Sequence, residues 1–367
     1  MLYWNISVKG EREMEKKKKL HLEFLRFLAI LLVIFNHTGD AGYLYFTQTA
    51  SQALYPLYFT LSVLCKVAVP LFWMVSGALL LDRDESIKYI FRHRFLRMAI
   101  VLTVFSFLYY LYSAKGNSAF TFSPVYFAER LYSSDLAPAF WYLYAYLGML
   151  IMLPLLRKIA KGLSNAEFMY FFAAMLLLRG IVPVLEYAMW RGRVTINTSF
   201  TANFFSYDVV FFLMGYFLEH RIPDDRLRRS SAWLLLLFGA VAVILIEGGT
   251  QLRLNDGGLM NDAQGEMFYA GLLFVPSAAV YYCARLIFRK VGEGSFVSRA
   301  VLLLGSVSFG VMLLEHFIRS ETGFLLDALC AVLPRFSSAV IWTVLVYLIG
   351  GAAVWLLKRI PFVNKYI

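Results

Sequence analysis

Long apolar stretches separated by short polar ones run the length of the chain. They recur near residues 20–38, 61–81, 96–113, 139–156, 168–187, 204–219, 232–247, 268–287, 300–318 and 338–357. A helix needs roughly 20 such residues to cross a hydrocarbon core of about 30 Å. The stretches are continuous rather than alternating, which excludes the strands of about 10 residues that build a membrane barrel. The pattern therefore predicts an all-α polytopic membrane protein of about ten transmembrane helices. Turn signals such as Pro223-Asp224-Asp225 and Asn255-Asp256-Gly257-Gly258 fall between stretches. No polar segment exceeds roughly 25 residues, so a separate soluble domain has no room and any chemistry belongs to the membrane part.

Charge orients the chain. Of 35 Lys and Arg, 25 lie on the side of the N-terminus, 7 on the opposite side, and 3 (Arg26, Lys66 and Arg179) within or at the edge of a stretch. Cytoplasmic segments near the membrane keep the basic excess, so both termini are expected in the cytoplasm. The expected organisation is a basic tail over 1–19, a transmembrane domain over 20–357 and a second tail over 358–367. Lys16, Lys17, Lys18 and Lys19 precede an apolar run as in a signal peptide, but no small-residue cleavage pattern follows, which makes the run a retained first helix.

Composition removes the remaining classes. Hydrophobic residues make up 60% of the 367 and charged ones 16%, against about a quarter charged in soluble domains. A soluble globule is excluded. The net charge of +11 then belongs to loops facing anionic lipid headgroups, and no nucleic-acid partner is expected. Cys65, Cys283 and Cys330 sit in apolar runs and read as packing residues. The five histidines are scattered without HxxxH or HExxH spacing, so no metal is expected, and no glycine pattern supports ATP or NAD chemistry.

An ionisable residue inside a span costs several kcal/mol on insertion scales and needs a reason. Arg26 and His37 are eleven apart in the first stretch; on a helix that is three turns plus about 20°, with a rise of about 16 Å. They share a face. A guanidinium suits phosphate or carboxylate, and a neutral imidazole can take a proton from a hydroxyl near pH 7. The plainer reading is equally open: Arg26 pairs with Glu23 one turn away, and His37 caps an interfacial helix end.

Arg26 and His37 match the Arg-x(10)-His signature in the first helix of the acyltransferase 3 family of integral membrane acyltransferases, which the sequence resembles over roughly residues 20–357. Val69-Pro70-Leu71-Phe72-Trp73-Met74-Val75-Ser76-Gly77 resembles the family's second-helix run, and Arg94-Phe95-Leu96-Arg97 its Arg-x-x-Arg element. Phe140-Trp141-Tyr142-Leu143-Tyr144 through Leu153-Pro154-Leu155-Leu156-Arg157 is similar to its fourth helix. Ser308-Phe309-Gly310-Val311-Met312-Leu313-Leu314-Glu315-His316 is similar to a late-helix motif, with Gly310-Val311-Met312 where an aromatic is common.

The resemblance implies transfer of an acyl group, often acetyl, from cytoplasmic acyl-CoA to a hydroxyl of a cell-surface or lipid-linked carbohydrate. The expected setting is the cytoplasmic (inner) membrane of a bacterium, with polysaccharide modification in the cell envelope as the outcome. His37 would be the general base and Arg26 its catalytic companion. Arg94 and Arg97 would bind the donor, and Glu23 would orient Arg26. Independently of the family, acyl-CoA is a polyanion that needs cations, and Arg92, Arg94 and Arg97 cluster at the start of the third stretch; positive-inside bias alone also puts basic residues there.

His316, Trp141 and Asp208 are acceptor-side candidates, since sugars stack on aromatic faces and bond carboxylates. Interfacial aromatic belts explain most Trp and Tyr without a ligand. Arg179 is costly at mid-span and should pair with Glu186 or an acid on another helix. Lys66 marks the outer edge of the second span. His21, His93 and His220 read as solvated. A multi-spanning transporter or flippase of a glycan or lipid-linked substrate is the alternative, though the half-to-half similarity expected of transporters is not evident.

Overall fold

The computed structural model describes residues 19–115, 117, 120–133, 136, 140–197, 206–261 and 263–366. The basic tail through residue 18 and the first residues of the stretches at 139 and 204 lie outside them. The described residues form helices and no strand. In chain order they are α1 (Leu20–Asn36), α2 (Tyr55–Leu80), α3 (Ile87–Tyr112), α4 (Pro124–Ser133), α5 (Trp141–Gly162) and α6 (Asn165–Trp190). Then follow α7 (Tyr207–Tyr216, continued by a π-turn over Phe217–Arg221), α8 (Arg229–Asn255), α9 (Ala263–Leu272), α10 (Phe274–Phe288), α11 (Phe296–Val332) and α12 (Arg335–Leu357).

The described part of each apolar stretch is largely helical, the one at 268–287 being divided between α9 and α10. Among the described residues seven helices are long and apolar enough to cross a membrane, and the pair α9–α10, bent by 41°, makes an eighth if it counts as one span. The helix α1 has 17 residues and α7 is also short. Burial explains how α1 carries apolar residues on more than one side. Leu22, Leu25 and Ala29 pack into the main cluster, whereas Ile30 and Ile34 enter a second cluster with Val307, Val311, Trp342 and Val346. A helix hydrophobic all round sits inside its bundle, and α1 is enclosed by α2, α10, α11 and α12.

Between helices in lipid the apolar surface itself gives little drive, so close backbone approach matters more. At the α2–α7 crossing, a Cβ on Gly77 would lie 1.8 Å from the Phe212 carbonyl oxygen, and one on Gly215 would lie 1.8 Å from that of Met74. Only hydrogen fits at either place.

Two helices break where proline removes a donor. Pro70 cannot bond back to the Lys66 carbonyl, and α2 is interrupted between Cys65 and Ala68. Lys66 therefore sits inside a helix that starts at Tyr55, eleven residues before it, and not at the span edge expected from the apolar run. Pro183 likewise cannot bond the Arg179 carbonyl, and a π-turn over Leu176–Ile181 precedes it. Gly271 of α9 packs against that freed carbonyl, where a Cβ would lie 1.9 Å away.

The ninth stretch was expected to end near residue 318. Instead α11 runs on to Val332, 37 residues in all. Its charges do not stop the helix because they are paired along it and across it: Arg319 with Glu315, and Glu321 with Lys115. His316 consequently lies in the middle of α11, not near its outer end.

Candidate active site

The sequence-predicted site residues divide between two adjoining cavities formed by the described residues. The smaller, about 600 Å³, is lined by Glu23 and Arg26 of α1, His93, Arg94 and Arg97 of α3, Ser76, Tyr146, Ser306 and Lys358. Arg26 donates from Nη1 to Glu23 Oε1 at 2.8 Å, as the spacing of one turn predicts. The helices α1 and α11 approach closely here because Gly305 has no side chain; a Cβ would lie 2.6 Å from that of Glu23. Lys358 donates to the Ser306 carbonyl at 2.7 Å, which brings the end of α12 to the same cavity.

Arg94 and Arg97 are not equivalent. Arg94 forks onto both oxygens of Glu85, with Nε at 2.7 Å, and Arg157 donates to the same carboxylate at 2.8 Å. Burial pushes the Glu85 carboxyl up, but hydrogen bonds from the two guanidinium groups outweigh it and carry it from 4.5 down to about 2. Arg94 thus spends part of its donor fork on a protein partner. Arg97 lines the cavity and, among the described residues, forms no ion pair. Arg92 lines neither cavity.

The larger cavity, about 1210 Å³, holds His37, Trp141, Asp208, Glu315, His316 and Arg319, together with Lys66 and Arg179. His37 follows the last residue of α1 and its N–H closes onto Ile34, so the imidazole projects from a helix end. Its Nδ1 lies 3.9 Å from Glu315 Oε2. Glu315 is 2% exposed and is also held by Arg319 Nε, whose Nη2 reaches His316 Nδ1 at 3.4 Å. A carboxylate beside an imidazole, with a guanidinium behind it, can hold the ring in one orientation and stabilise its protonated form. Sequence reasoning missed Glu315. Its signal was available, an acid between two apolar runs and next to a histidine, but its partner lies 278 positions away.

A common cavity for Arg26 and His37 was the expectation. The structure gives them neighbouring cavities whose linings share Phe72, Tyr142 and Met312. Arg179 also departs from expectation: among the described residues it forms no ion pair, lies over the Tyr207 ring at 5.8 Å and leaves its buried Nε without a hydrogen bond. Glu186 instead accepts from the Ile196 N–H at 2.7 Å. Arg179 sits within the π-turn and lines the larger cavity. Nor are the basic-side histidines simply solvated. His21 bonds Glu219 at 2.9 Å, His220 bonds the Ala78 carbonyl at 2.7 Å, and His93 lines the smaller cavity.

No curated protein and no solved structure matches the chain. A family model described as an acyltransferase domain matches residues 20–360, nearly the whole helical bundle and both cavities; the chain belongs to the acyltransferase 3 family and is a membrane acyltransferase.

Proposed function

We propose that the protein is an O-acyltransferase that moves an acyl group, acetyl in the first instance, from acyl-CoA on the cytoplasmic side to a hydroxyl of a cell-surface or lipid-linked carbohydrate. The observation that carries this reading is that α1 and the residue after it serve two adjoining cavities: Arg26 in one where Arg94, Arg97 and Lys358 gather, and His37 in one lined by aromatic side chains and by charges of both signs. Phosphates of the donor are matched by Arg26, Arg97 and Lys358, with Arg94 contributing what Glu85 leaves free. The acceptor hydroxyl enters the other cavity, where Trp141 offers a stacking face and Asp208 and His316 offer hydrogen bonds. His37 takes the hydroxyl proton as the oxygen attacks the thioester carbonyl. The C–O bond forms, the C–S bond breaks, and the proton passes on to the departing thiolate. Glu315 steadies the imidazolium between those events.

The test is mass spectrometry of surface glycans from cells lacking the gene and complemented with variants. The native gene restores the acyl group; His37→Ala inserts into the membrane, still binds acyl-CoA and restores none. Removal of a general base costs about 10²- to 10⁴-fold in rate. Undiminished acylation by His37→Ala, or a glycan unchanged by loss of the gene, overturns the reading.

A further inference from the structure

Phe72 from α2, Tyr142 from α5 and Met312 from α11 line both cavities. The bundle packs as three hydrophobic clusters, and this trio sits where all three meet. Phe72 packs against the first and second, Met312 against the second and third, and Tyr142 against the first and third. The Phe72 and Tyr142 rings lie 5.9 Å apart at 51°, and Tyr142 is held again by Trp73 at 4.6 Å and Tyr146 at 6.2 Å. Two sides of the partition are therefore stiff aromatic walls. The third is an unbranched thioether, whose rotatable bonds let it fill a gap in one rotamer and vacate it in another.

On the acyl-transfer reading, donor cations and the proton acceptor stand about 16 Å apart along α1, with this partition between them. A donor anchored by its phosphates beside Arg26 must push its thioester past these three side chains to meet His37. We infer that Phe72, Tyr142 and Met312 form the neck through which the acyl end of the donor passes, and that Met312 sets the largest acyl group transferred. Packing, not charge, does the selecting: the pantetheine arm and an acetyl group pass with the Met312 side chain swung to one side, whereas a longer acyl chain, which must bend at the neck as its thioester turns toward His37, needs the volume that Met312 fills.

The experiment measures CoA released from acetyl-CoA and octanoyl-CoA by membrane vesicles of the native host, which supply the acceptor, after subtraction of His37→Ala vesicles. One methylene in an apolar pocket changes specificity by about 10- to 200-fold. Met312→Ala is thus expected to raise the octanoyl to acetyl ratio at least about tenfold. Met312→Trp is expected to depress acetyl turnover while leaving acetyl-CoA affinity unchanged. An unaltered ratio in Met312→Ala together with full acetyl turnover in Met312→Trp overturns the inference.

A second measurement separates the neck from the reading beneath it. In a chain whose Cys65, Cys283 and Cys330 are replaced by alanine, Met312→Cys is exposed to a membrane-impermeant methanethiosulfonate from each face of sealed vesicles. Modification from both faces supports the passage even if no donor releases CoA, in which case acyl transfer alone fails. Modification from neither face overturns the neck whatever the turnover.

Discussion

Glu85 illustrates what one side chain does at the basic face. It lies in the short segment between α2 and α3 and ties Arg94 of α3 to Arg157 of α5. Because its folded-state carboxyl titrates at about 2 rather than 4.5, its contribution to stability is complete above the unfolded value and is lost as pH falls from 4.5 toward 2. Thermal unfolding of the purified protein in detergent should show this. The midpoint of native protein should fall across that window by more than that of Glu85→Gln, which should already be lower at neutral pH; parallel curves would refute the role. The arginines were legible in the sequence as a cluster, but which of them is engaged by Glu85 was not, since the answer depends on how a loop folds back.

At the scale of elements, glycine decides the closest crossing. A methyl on Gly77 or Gly215 meets backbone atoms of the opposite helix, which cannot move aside as a flexible side chain could. Gly77→Ala should therefore cost about 3 kcal/mol or more, the upper end of overpacking. Gly148, within α5, has nothing within 4 Å of the corresponding position, and Gly148→Ala should be neutral or stabilising by up to about 1 kcal/mol from helix propensity. Unfolding measured in detergent or bicelles checks both, and equal effects would remove the crossing as the cause. Helix positions were legible from hydropathy, whereas the α11 end was not, because charged residues that pair at one-turn spacing continue a helix as readily as apolar ones.

For the whole molecule, the charge asymmetry predicts sidedness. A reporter active only in the cytoplasm should work when fused after Ile367 or inserted at residue 226, and fail at residue 257; a reporter active only outside should give the inverse. The first pattern is what ten crossings predict, since they would put 25 of the 35 basic residues on the face of the N-terminus. Activity of the C-terminal fusion outside the cytoplasm would mean an odd number of crossings.

By itself the sequence determined the solvent, the helical class, the placement of nearly every helix and the two residues, Arg26 in α1 and His37 just after it, around which the chemistry is proposed. These follow from local quantities: the length of an apolar run, the angle between residues eleven apart, the sign of a loop. Tertiary structure alone decided that Arg26 and His37 face two cavities and not one, that Glu315 stands beside His37, that Arg179 has no carboxylate partner among the described residues, and that Met312 lines both cavities together with two aromatic rings. Each of these is a meeting of side chains from separate helices, and the depth, tilt and rotation of one helix against another are set by packing that no single stretch of chain encodes.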